Sequence, residues 1–455
     1  MAHGQVGIRP IGTTPRSEIL ARPFQEFTRI EASGGILLVA ATVVALVWAN
    51  SSRSDLYFDL LHVDLSIYLG QHGLSMSLQH WVNDGLMAVF FFVVGMEIKR
   101  EVLVGELSEL RKAMLPVAAA IGGVLVPAGL YLAVNAGTPA ESGWGVPMAT
   151  DIAFALGALA LLGSRIPAGL KVFLTALAIV DDIAAVLVIA LFYTASINTT
   201  ALASAALVVC ALIVANVLGA RHPLVYIGLG ALLWLAFAQS GVHATIAGVI
   251  LAMTIPVRSR IDAIEFLGSG REMLDAFESE GGGHDVRSTS TQRAVVQSLE
   301  TLCQHVETPL HRMEHALHPW VTYGILPLFA FANAGVRVVG HLADALTHPV
   351  SIGIVVGLVI GKQVGITSFA ALAVRLRLAN LPAGVTWQHI YGAAWLGGIG
   401  FTMALFIGAL AFTDPRLVEV SKVGILVASL IAGIGGYTVL RLTTWPAPTA
   451  ETGDS

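Results

Sequence analysis

Long stretches without a single charged residue divide this sequence, and they restrict its fold more than any other feature. Residues 32–52, 113–140 and 183–220 contain no Asp, Glu, Lys or Arg. A helix needs about 20 apolar residues to cross the bilayer core. Only 12% of the 455 residues are charged, against roughly 25% in soluble domains, so a soluble fold would have too few charges to cover its surface. The sequence therefore predicts an all-α polytopic membrane protein.

Breaks in the apolar pattern divide these stretches into twelve predicted spans. They lie at about 32–52, 84–96, 113–140, 146–162, 172–193, 200–220, 222–239, 241–257, 317–336, 352–373, 378–413 and 423–440. If the N-terminus is cytoplasmic, the inside segments hold 20 Lys and Arg residues and the outside segments hold three. This asymmetry agrees with the positive-inside rule. We therefore expect a multi-pass protein with both termini in the cytoplasm.

The remaining segments define the domain organisation. Residues 1–33 are expected to form a cytoplasmic N-terminal segment, residues 34–444 a transmembrane domain, and residues 445–455 a disordered cytoplasmic tail. Alternating polar and apolar residues at 64–78 predict a small β-hairpin on the outside. The polar stretch 258–309 predicts a mobile cytoplasmic loop with some helix.

The composition excludes several functions. Cys210 and Cys303 lie in unlike surroundings, which predicts neither a disulfide framework nor a metal site. The net charge of −5 does not indicate a nucleic-acid partner. The sequence contains no region typical of a soluble catalytic domain, so we expect a protein without cofactor or enzyme activity.

Four ionisable residues lie near the middle of predicted spans: Asp151, Asp181, Asp182 and Lys362. Such groups are costly within a membrane and usually functional. Adjacent residues on a helix point about 100° apart, so Asp181 and Asp182 cannot both face one ion squarely. One can line a water-filled cavity while the other pairs with Lys362. A purely structural reading is also open, in which Asp151 caps a helix and Lys362 is a counter-ion.

Two predicted spans contain residues that favour extended backbone. One reads Pro147-Met-Ala-Thr-Asp151, and the other reads Gly397-Gly-Ile-Gly-Phe-Thr402. A helix can unwind at membrane depth where it is buried in protein or lines a cavity. One broken helix in each half indicates an inverted-repeat transporter core with two broken crossing helices. Asp151 is then placed to offset the positive N-terminal half-helix ends and Lys362 the negative C-terminal ends.

Glycine recurs every fourth residue in the predicted span at 352–373. Gly353, Gly357, Gly361 and Gly365 form a smooth stripe on one helix face. Such a stripe allows close approach of a second helix, which would bring Lys362 toward Asp181.

A series of motifs in this order resembles the NhaA family of Na⁺/H⁺ antiporters over nearly the whole chain. The motifs are Trp81-Val-Asn-Asp84, Phe90-Phe-Phe-Val-Val-Gly-Met-Glu-Ile-Lys-Arg-Glu101, Ala149-Thr-Asp-Ile-Ala-Phe154, Leu177-Ala-Ile-Val-Asp-Asp182, Ser240-Gly-Val-His-Ala-Thr245, Glu314-His-Ala-Leu-His-Pro-Trp320, Pro327-Leu-Phe-Ala-Phe-Ala-Asn-Ala-Gly335, Gly361-Lys362 and Gly398-Ile-Gly-Phe-Thr402. The resemblance implies electrogenic, pH-regulated exchange of cytoplasmic Na⁺ or Li⁺ for more than one external proton, in the inner membrane of a bacterium.

The resemblance also implies roles for individual residues. Asp182 is the expected main ligand of the transient Na⁺, while Asp181 pairs with Lys362 and exchanges protons. Thr150 and Asp151 are expected at the crossing of the broken helices. The residues linked to pH regulation are Glu97, Arg100, Glu101, Glu314 and His243, and Asp84 corresponds to an acidic residue near the outer side. The hairpin at 64–78 matches a region that pairs two protomers, which implies a homodimer in contact with membrane lipid. The loop at 258–309 looks longer than in the best-known members.

Two other functions also require buried acidic residues. An intramembrane aspartyl protease places one carboxylate on each of two helices so that they share a proton, whereas Asp181 and Asp182 are adjacent. A cation channel lines its pore with rings of carbonyls or charges, whereas a lysine beside the ion site favours a gated exchange cycle. Both alternatives remain testable by ion flux.

Overall fold

A computed structural model of the chain describes residues 16–69, 72–194, 197–257, 259, 261–279, 290–337 and 342–443. The described residues are mostly helical. The α-helices are α1 Arg16–Ala49, α2 Ser54–His62, α3 Leu78–His80, α4 Met87–Leu103, α5 Leu110–Asn135, α6 Ile152–Ala160, α7 Ala168–Phe192, α8 Thr199–Val217, α9 Pro223–Ala238, α10 Ile246–Thr254, α11 Ala263–Ser279, α12 Ser290–Val306, α13 Pro309–Trp320, α14 Leu326–Ala334, α15 Leu342–Thr347, α16 Pro349–Val356, α17 Lys362–Arg375, α18 Trp387–Gly397, α19 Phe401–Ala411 and α20 Pro415–Thr443.

Six helical stretches of the described chain are long and apolar enough to cross a membrane, or up to eight if two bent pairs each count as one span. This agrees with a multi-pass membrane protein. Several other predicted spans are divided into shorter pieces; α4, for example, has 17 residues and follows a π-helical segment, Trp81–Leu86. The number twelve therefore remains a prediction. Helix α1 begins at Arg16 and continues unbroken to Ala49, and the cytoplasmic position of the segment 1–33 stays a prediction. Residues 1–15 and the tail 445–455 lie outside the described residues.

The predicted β-hairpin is present. Strands β1 Asp64–Leu69 and β2 His72–Ser77 pair antiparallel, with Asp64 opposite Ser77 and Leu69 opposite His72. The backbone N–H of Leu78 donates to the carbonyl of Val63 at 2.9 Å, which closes the base of the hairpin. Residues 70 and 71, which connect the two strands, lie outside the described residues.

The predicted glycine stripe lies against α5. A methyl group added to Gly361 would come within 2.8 Å of the Cα of Pro127, and one added to Gly365 would collide with the carbonyl oxygen of Gly122. The stripe crosses α16, the π-helical segment Gly357–Gly361 and α17. This close approach confirms the packing role of the glycines and carries Lys362, the first residue of α17, into the protein interior.

Both predicted interruptions occur at the predicted residues. A 3₁₀ helix, Glu141–Met148, gives way to extended backbone at Ala149 and Asp151 before α6 begins. Helices α18 and α19 are separated by a break after Gly397, and their axes differ by 45°. The amide of Asp151 donates to the carbonyl of Ile399 at 2.6 Å. The two breaks therefore share a backbone hydrogen bond. Non-helical backbone at membrane depth needs such partners for its N–H and C=O groups.

The polar stretch 258–309 was expected to be a loop with some helix. Most of its described residues are helical, in α11 and α12. Helices α11 and α12 pack on each other, with Leu302 buried near Gly270. At the base of this stretch the amide of Leu310 donates to the carbonyl of Pro256 at 3.3 Å. The two ends of the loop are therefore held together next to α10 and α13.

Candidate functional site

The two adjacent aspartates lie in the middle of α7 and are almost completely buried. Asp181 is 1% exposed, Asp182 is 2% exposed and Lys362 is fully buried. The amine of Lys362 donates to Oδ2 of Asp181, so these two residues form a buried ion pair between α17 and α7. Oδ1 of Asp181 has no hydrogen-bond partner among the described residues. The side chains of Asp181 and Asp182 point in different directions, and Asp181 is the one that bonds Lys362.

Asp182 stands apart from this ion pair. Its carboxylate forms no hydrogen bond with any residue that the structure describes, although it lies within electrostatic range of Asp181, Glu97 and Asp151. Buried carboxylates normally have hydrogen-bond partners. The carboxylate oxygens of Asp182 and Oδ1 of Asp181 are therefore the acidic oxygens of the site that remain available to a proton or a cation.

Thr150 connects the ion pair to the second broken helix. Its hydroxyl lies 2.5 Å from Oδ2 of Asp181 and 2.7 Å from the carbonyl oxygen of Gly397, the last residue of α18. A hydroxyl carries one proton and can donate to only one of these acceptors at a time. If Thr150 donates to Gly397, a proton on Asp181 makes the short contact with Asp181 attractive. The hydroxyl is thus sensitive to the protonation of Asp181.

Asp151 caps both half-helices that start at the crossing. Its Oδ1 accepts from the amide of Phe154 at 3.1 Å, at the N-terminus of α6. Its Oδ2 accepts from the amide of Thr402 at 2.9 Å and from the hydroxyl of Thr402 at 2.5 Å, at the start of α19. A carboxylate is favourable at a helix N-terminus. The geometry agrees with the expected position of Asp151 between positive helix ends.

Lys362 was expected to offset the negative half-helix C-termini, and this role stays a prediction. Its hydrogen bond goes to Asp181, and the carbonyl of Gly397 at the end of α18 is instead bonded by Thr150. A neutral hydroxyl suffices there because the half-helix end carries only a partial charge. The full charge of Lys362 is therefore balanced by the full charge of Asp181.

Thr402 is a site residue that the sequence reasoning missed. It bonds Asp151 through both its backbone and its side chain. Its position two residues after Gly400, at the start of a half-helix, is a signal that could have found it, because hydroxyl residues are common near helix N-termini.

Three of the residues expected to act in pH regulation lie together. Arg100 on α4 forms ion pairs with Glu101 at 3.2 Å and with Glu314 on α13 at 3.3 Å. Burial raises the pKa of the Glu314 carboxyl, and the neighbouring Arg100 opposes this by lowering it. Glu97, one turn earlier on α4, lies within electrostatic range of Asp182. Residues of α4 therefore lie between the charged cluster and the buried aspartates.

His243 and Asp84 occupy separate positions. The Nε2 atom of His243 lies 2.5 Å from the carbonyl oxygen of Tyr193, just beyond the end of α7. Asp84, in the π-helical segment before α4, pairs with His80 at 3.1 Å, and this bond to Asp84 raises the pKa of His80 despite its partial burial. Neither residue contacts Asp181 or Lys362 directly in the described part of the chain.

The sequence matches one protein family over most of its length. The family described as Na⁺/H⁺ antiporter 1 matches residues 25–440. The protein named Na(+)/H(+) antiporter NhaA of Oleidesulfovibrio alaskensis is 52% identical over 429 residues, which cover 94% of this chain and 95% of that protein. The protein of the same name from Koribacter versatilis is 52% identical over 423 residues, covering 93% and 92% of the two chains. The relative from Acidithiobacillus ferrooxidans is 50% identical over 422 residues.

These relatives share nearly the full length of the chain, including α7, both broken helices and α17. They are transporters, which agrees with the expectation that the protein is not an enzyme. With apolar helices of spanning length and this degree of identity, the chain belongs to the Na⁺/H⁺ antiporter 1 family.

Proposed function

We propose that the protein expels Na⁺ or Li⁺ from the cytoplasm of a bacterium in exchange for external protons, across the inner membrane. The observation that carries this proposal is the buried pair of aspartates, of which one is bound to Lys362 and the other has no hydrogen bond to any described residue. A buried charge without a partner is costly. Asp182 therefore has reason to hold either a proton or a cation, which is the competition that an antiporter needs.

Coupling to more than one proton follows from the neighbouring ion pair. A Na⁺ ion at Asp182 displaces the proton there and brings a second positive charge close to Lys362. The open oxygen of Asp181 is then available to the cation, which weakens the bond between Asp181 and Lys362. A buried ammonium that loses its counter-charge is strongly disfavoured, so Lys362 releases a proton. Two protons released for one Na⁺ make the exchange electrogenic.

The crossing of the broken helices supplies a means of coupling this chemistry to movement. Thr150 contacts both Asp181 and Gly397, so a change in the charge of Asp181 alters a bond at the end of α18. We propose that the two interrupted helices belong to inverted repeats in a twelve-span core with cytoplasmic termini. Access then alternates when one repeat moves against the other around the fixed site.

Sodium-driven proton movement in sealed proteoliposomes tests this proposal. The purified full-length chain is reconstituted with a pH-sensitive dye inside, and Na⁺, Li⁺ or K⁺ is added across pH. We expect Na⁺ and Li⁺ to change the internal pH and the rate to depend on an imposed membrane potential. Cation flux without proton movement would instead identify a channel.

The variant Asp182→Asn should abolish the exchange while leaving expression and folding intact, because an amide cannot alternate between a proton and a cation. Asp344→Asn is the matched control, since Asp344 is an exposed aspartate on the short helix α15. It removes the same charge and should exchange at the parental rate. Normal exchange by Asp182→Asn would contradict the proposed mechanism.

A further inference from the structure

The 3₁₀ helix Glu141–Met148 leads directly into Thr150 and Asp151, and side-chain hydrogen bonds join this region to other elements. The hydroxyl of Tyr131 on α5 donates to the carbonyl of Ala140 at 2.8 Å. The hydroxyl of Ser142 donates to the carbonyl of Ala411, the last residue of α19, at 2.8 Å. Because 3₁₀ hydrogen bonds have poorer geometry than α-helical ones, such external bonds determine where the segment lies.

Tyr193 makes two of the bonds to this segment. Its hydroxyl donates to the carbonyl of Ser142 at 2.8 Å and accepts from the amide of Gly145 at 3.2 Å. Gly145 permits the contact, because a methyl group at that position would lie 2.6 Å from the Tyr193 hydroxyl. The carbonyl of Tyr193 is itself bonded by His243. Tyr193 is therefore held on one side and bonded to the 3₁₀ segment on the other.

Tyr193 is the C-cap residue that directly follows helix α7, and Asp181 lies within that helix. They are separated by about three helical turns. Helix α7 consequently holds the broken span at two points: Tyr193 bonds Ser142 and Gly145, and Asp181 bonds Thr150. The first attachment restricts where Thr150 can lie relative to Asp181, because only four residues separate Gly145 from Thr150.

We infer that Tyr193 is a positioning residue for cation exchange, which sets the alignment of Thr150 with Asp181 through the 3₁₀ segment. This inference rests on the proposed function. Tyr193 itself does not touch the ion site. Its loss should therefore weaken cation binding while leaving the exchanging groups in place.

The test compares Tyr193→Phe with the parent in proteoliposomes. We expect the Na⁺ concentration for half-maximal exchange to rise about three- to tenfold, the factor expected from loss of one hydrogen bond. The maximal rate should stay within about twofold, because only one hydrogen bond remote from the exchanging groups is lost. Tyr226→Phe is the matched control, because its hydroxyl also donates to a backbone carbonyl, that of Ala220, at 2.8 Å. That variant should keep the parental Na⁺ dependence.

A double variant separates positioning from general destabilisation. Na⁺ binding is read from the Na⁺-dependent rise in melting temperature of the purified protein, so the comparison does not need transport. If Tyr193 acts through Thr150, adding Tyr193→Phe to Thr150→Val should cause no further loss of Na⁺ binding. Additive losses would overturn the inference, as would equal effects of Tyr193→Phe and Tyr226→Phe.

A second substitution covers the case in which Tyr193→Phe does not fold. Gly145→Ala displaces the Tyr193 hydroxyl sterically and should raise the half-maximal Na⁺ concentration to a similar extent. An unchanged value would overturn the inference. If the parent exchanges Na⁺ for protons but neither variant differs from it, only the role of Tyr193 fails. If the parent itself shows no exchange, the proposed function fails.

Discussion

Lys362 shows how strongly a single residue can determine the arrangement of the site. It is fully buried, and its bond to Asp181 joins α17 to α7. Gly123 on α5 lies beside it, since a methyl group there would lie 3.5 Å from the amine and 3.0 Å from Ile366. The ion pair therefore lies where α5, α7 and α17 come together.

We expect Lys362→Ala to lower stability as well as activity. Removing one partner of a buried pair leaves an uncompensated charge, at a cost of about 3–5 kcal/mol. Thermal unfolding of the purified variant measures this loss. Lys112→Ala is the control, because Lys112 pairs with Glu106 and Glu109 on the exposed surface and such pairs contribute little. Equal melting of the parent and Lys362→Ala would argue against a strong pair.

The chemistry of single residues was more predictable than their partners. Buried charges are rare in apolar segments, so Asp151, Asp181, Asp182 and Lys362 are conspicuous in the sequence. Thr402 is not, because a threonine is unremarkable at any depth. Contacts such as that between Thr150 and Gly397 join residues 247 positions apart, and no local pattern encodes them.

At the scale of the helices, glycines allow α5 and α17 to pack closely against each other. We expect Gly365→Ala to destabilise the protein by about 1–3 kcal/mol, the usual cost of overpacking, because the added methyl would meet the Gly122 carbonyl. Gly129→Ala on α5 is the control, since open space surrounds that position. It should be neutral or slightly stabilising, because alanine favours helix. Thermal unfolding of both variants measures these changes in stability. Equal losses of stability would show that the glycine stripe has no special packing role.

The ends of α4 and α13 meet at a group whose charge depends on pH. Burial raises the pKa of Glu314; Arg100, His311 and His318 lower it, and Glu101 raises it further. With the net shift upward, Glu314 keeps its proton to a higher pH than an exposed glutamate. Ionisation is then disfavoured in the folded state and occurs as pH rises through the raised pKa. Each proton lost there adds negative charge between the two helices.

We expect Glu314→Gln to move the onset of exchange to higher pH, because the amide keeps the charge of the protonated form at every pH. The maximal rate should change far less than in Asp182→Asn. Exchange rates of reconstituted protein across pH measure both quantities. Glu106→Gln removes a carboxylate from the exposed surface nearby and should keep the parental profile. An unchanged profile for Glu314→Gln would make the cluster purely structural.

Element boundaries show the limit of prediction from sequence. The hydrophobic pattern locates spans, yet it does not reveal the π-helical segments Val321–Ile325 and Gly357–Gly361. A π-helical turn accommodates an extra residue within a helix, and an apolar sequence looks the same with or without it. The sequence predicts some helix in the stretch 258–309 but not the two helices α11 and α12. Its polar composition is typical of a loop, and the packing of α11 on α12 depends on a few residues such as Leu302.

At the scale of the whole molecule, the exposed β-hairpin is the region where the resemblance to the family implies a homodimer. Leu65 and Ile67 are apolar and exposed on β1, and the free edges of a hairpin favour addition of further strands. We expect deletion of residues 66–77 to give monomers that still transport. The bond from Leu78 to Val63 lies outside the deletion and keeps the new ends close. Light scattering of the purified variant measures its mass, and a persistent dimer would place the interface elsewhere.

The bond between Leu310 and Pro256 holds the two ends of the intervening loop together, so the helices on either side do not depend on the length of that loop. Lys99 also holds this position, because its amine donates to the carbonyl of Ile255 at 2.6 Å. Since each doubling of loop length costs only about 0.6 kcal/mol of closure entropy, the intervening sequence is free to grow, shrink or be exchanged. Evolution can use this position as a grafting point, and so can an engineer who wishes to place a fluorescent reporter or an affinity domain on the protein without disturbing its membrane core.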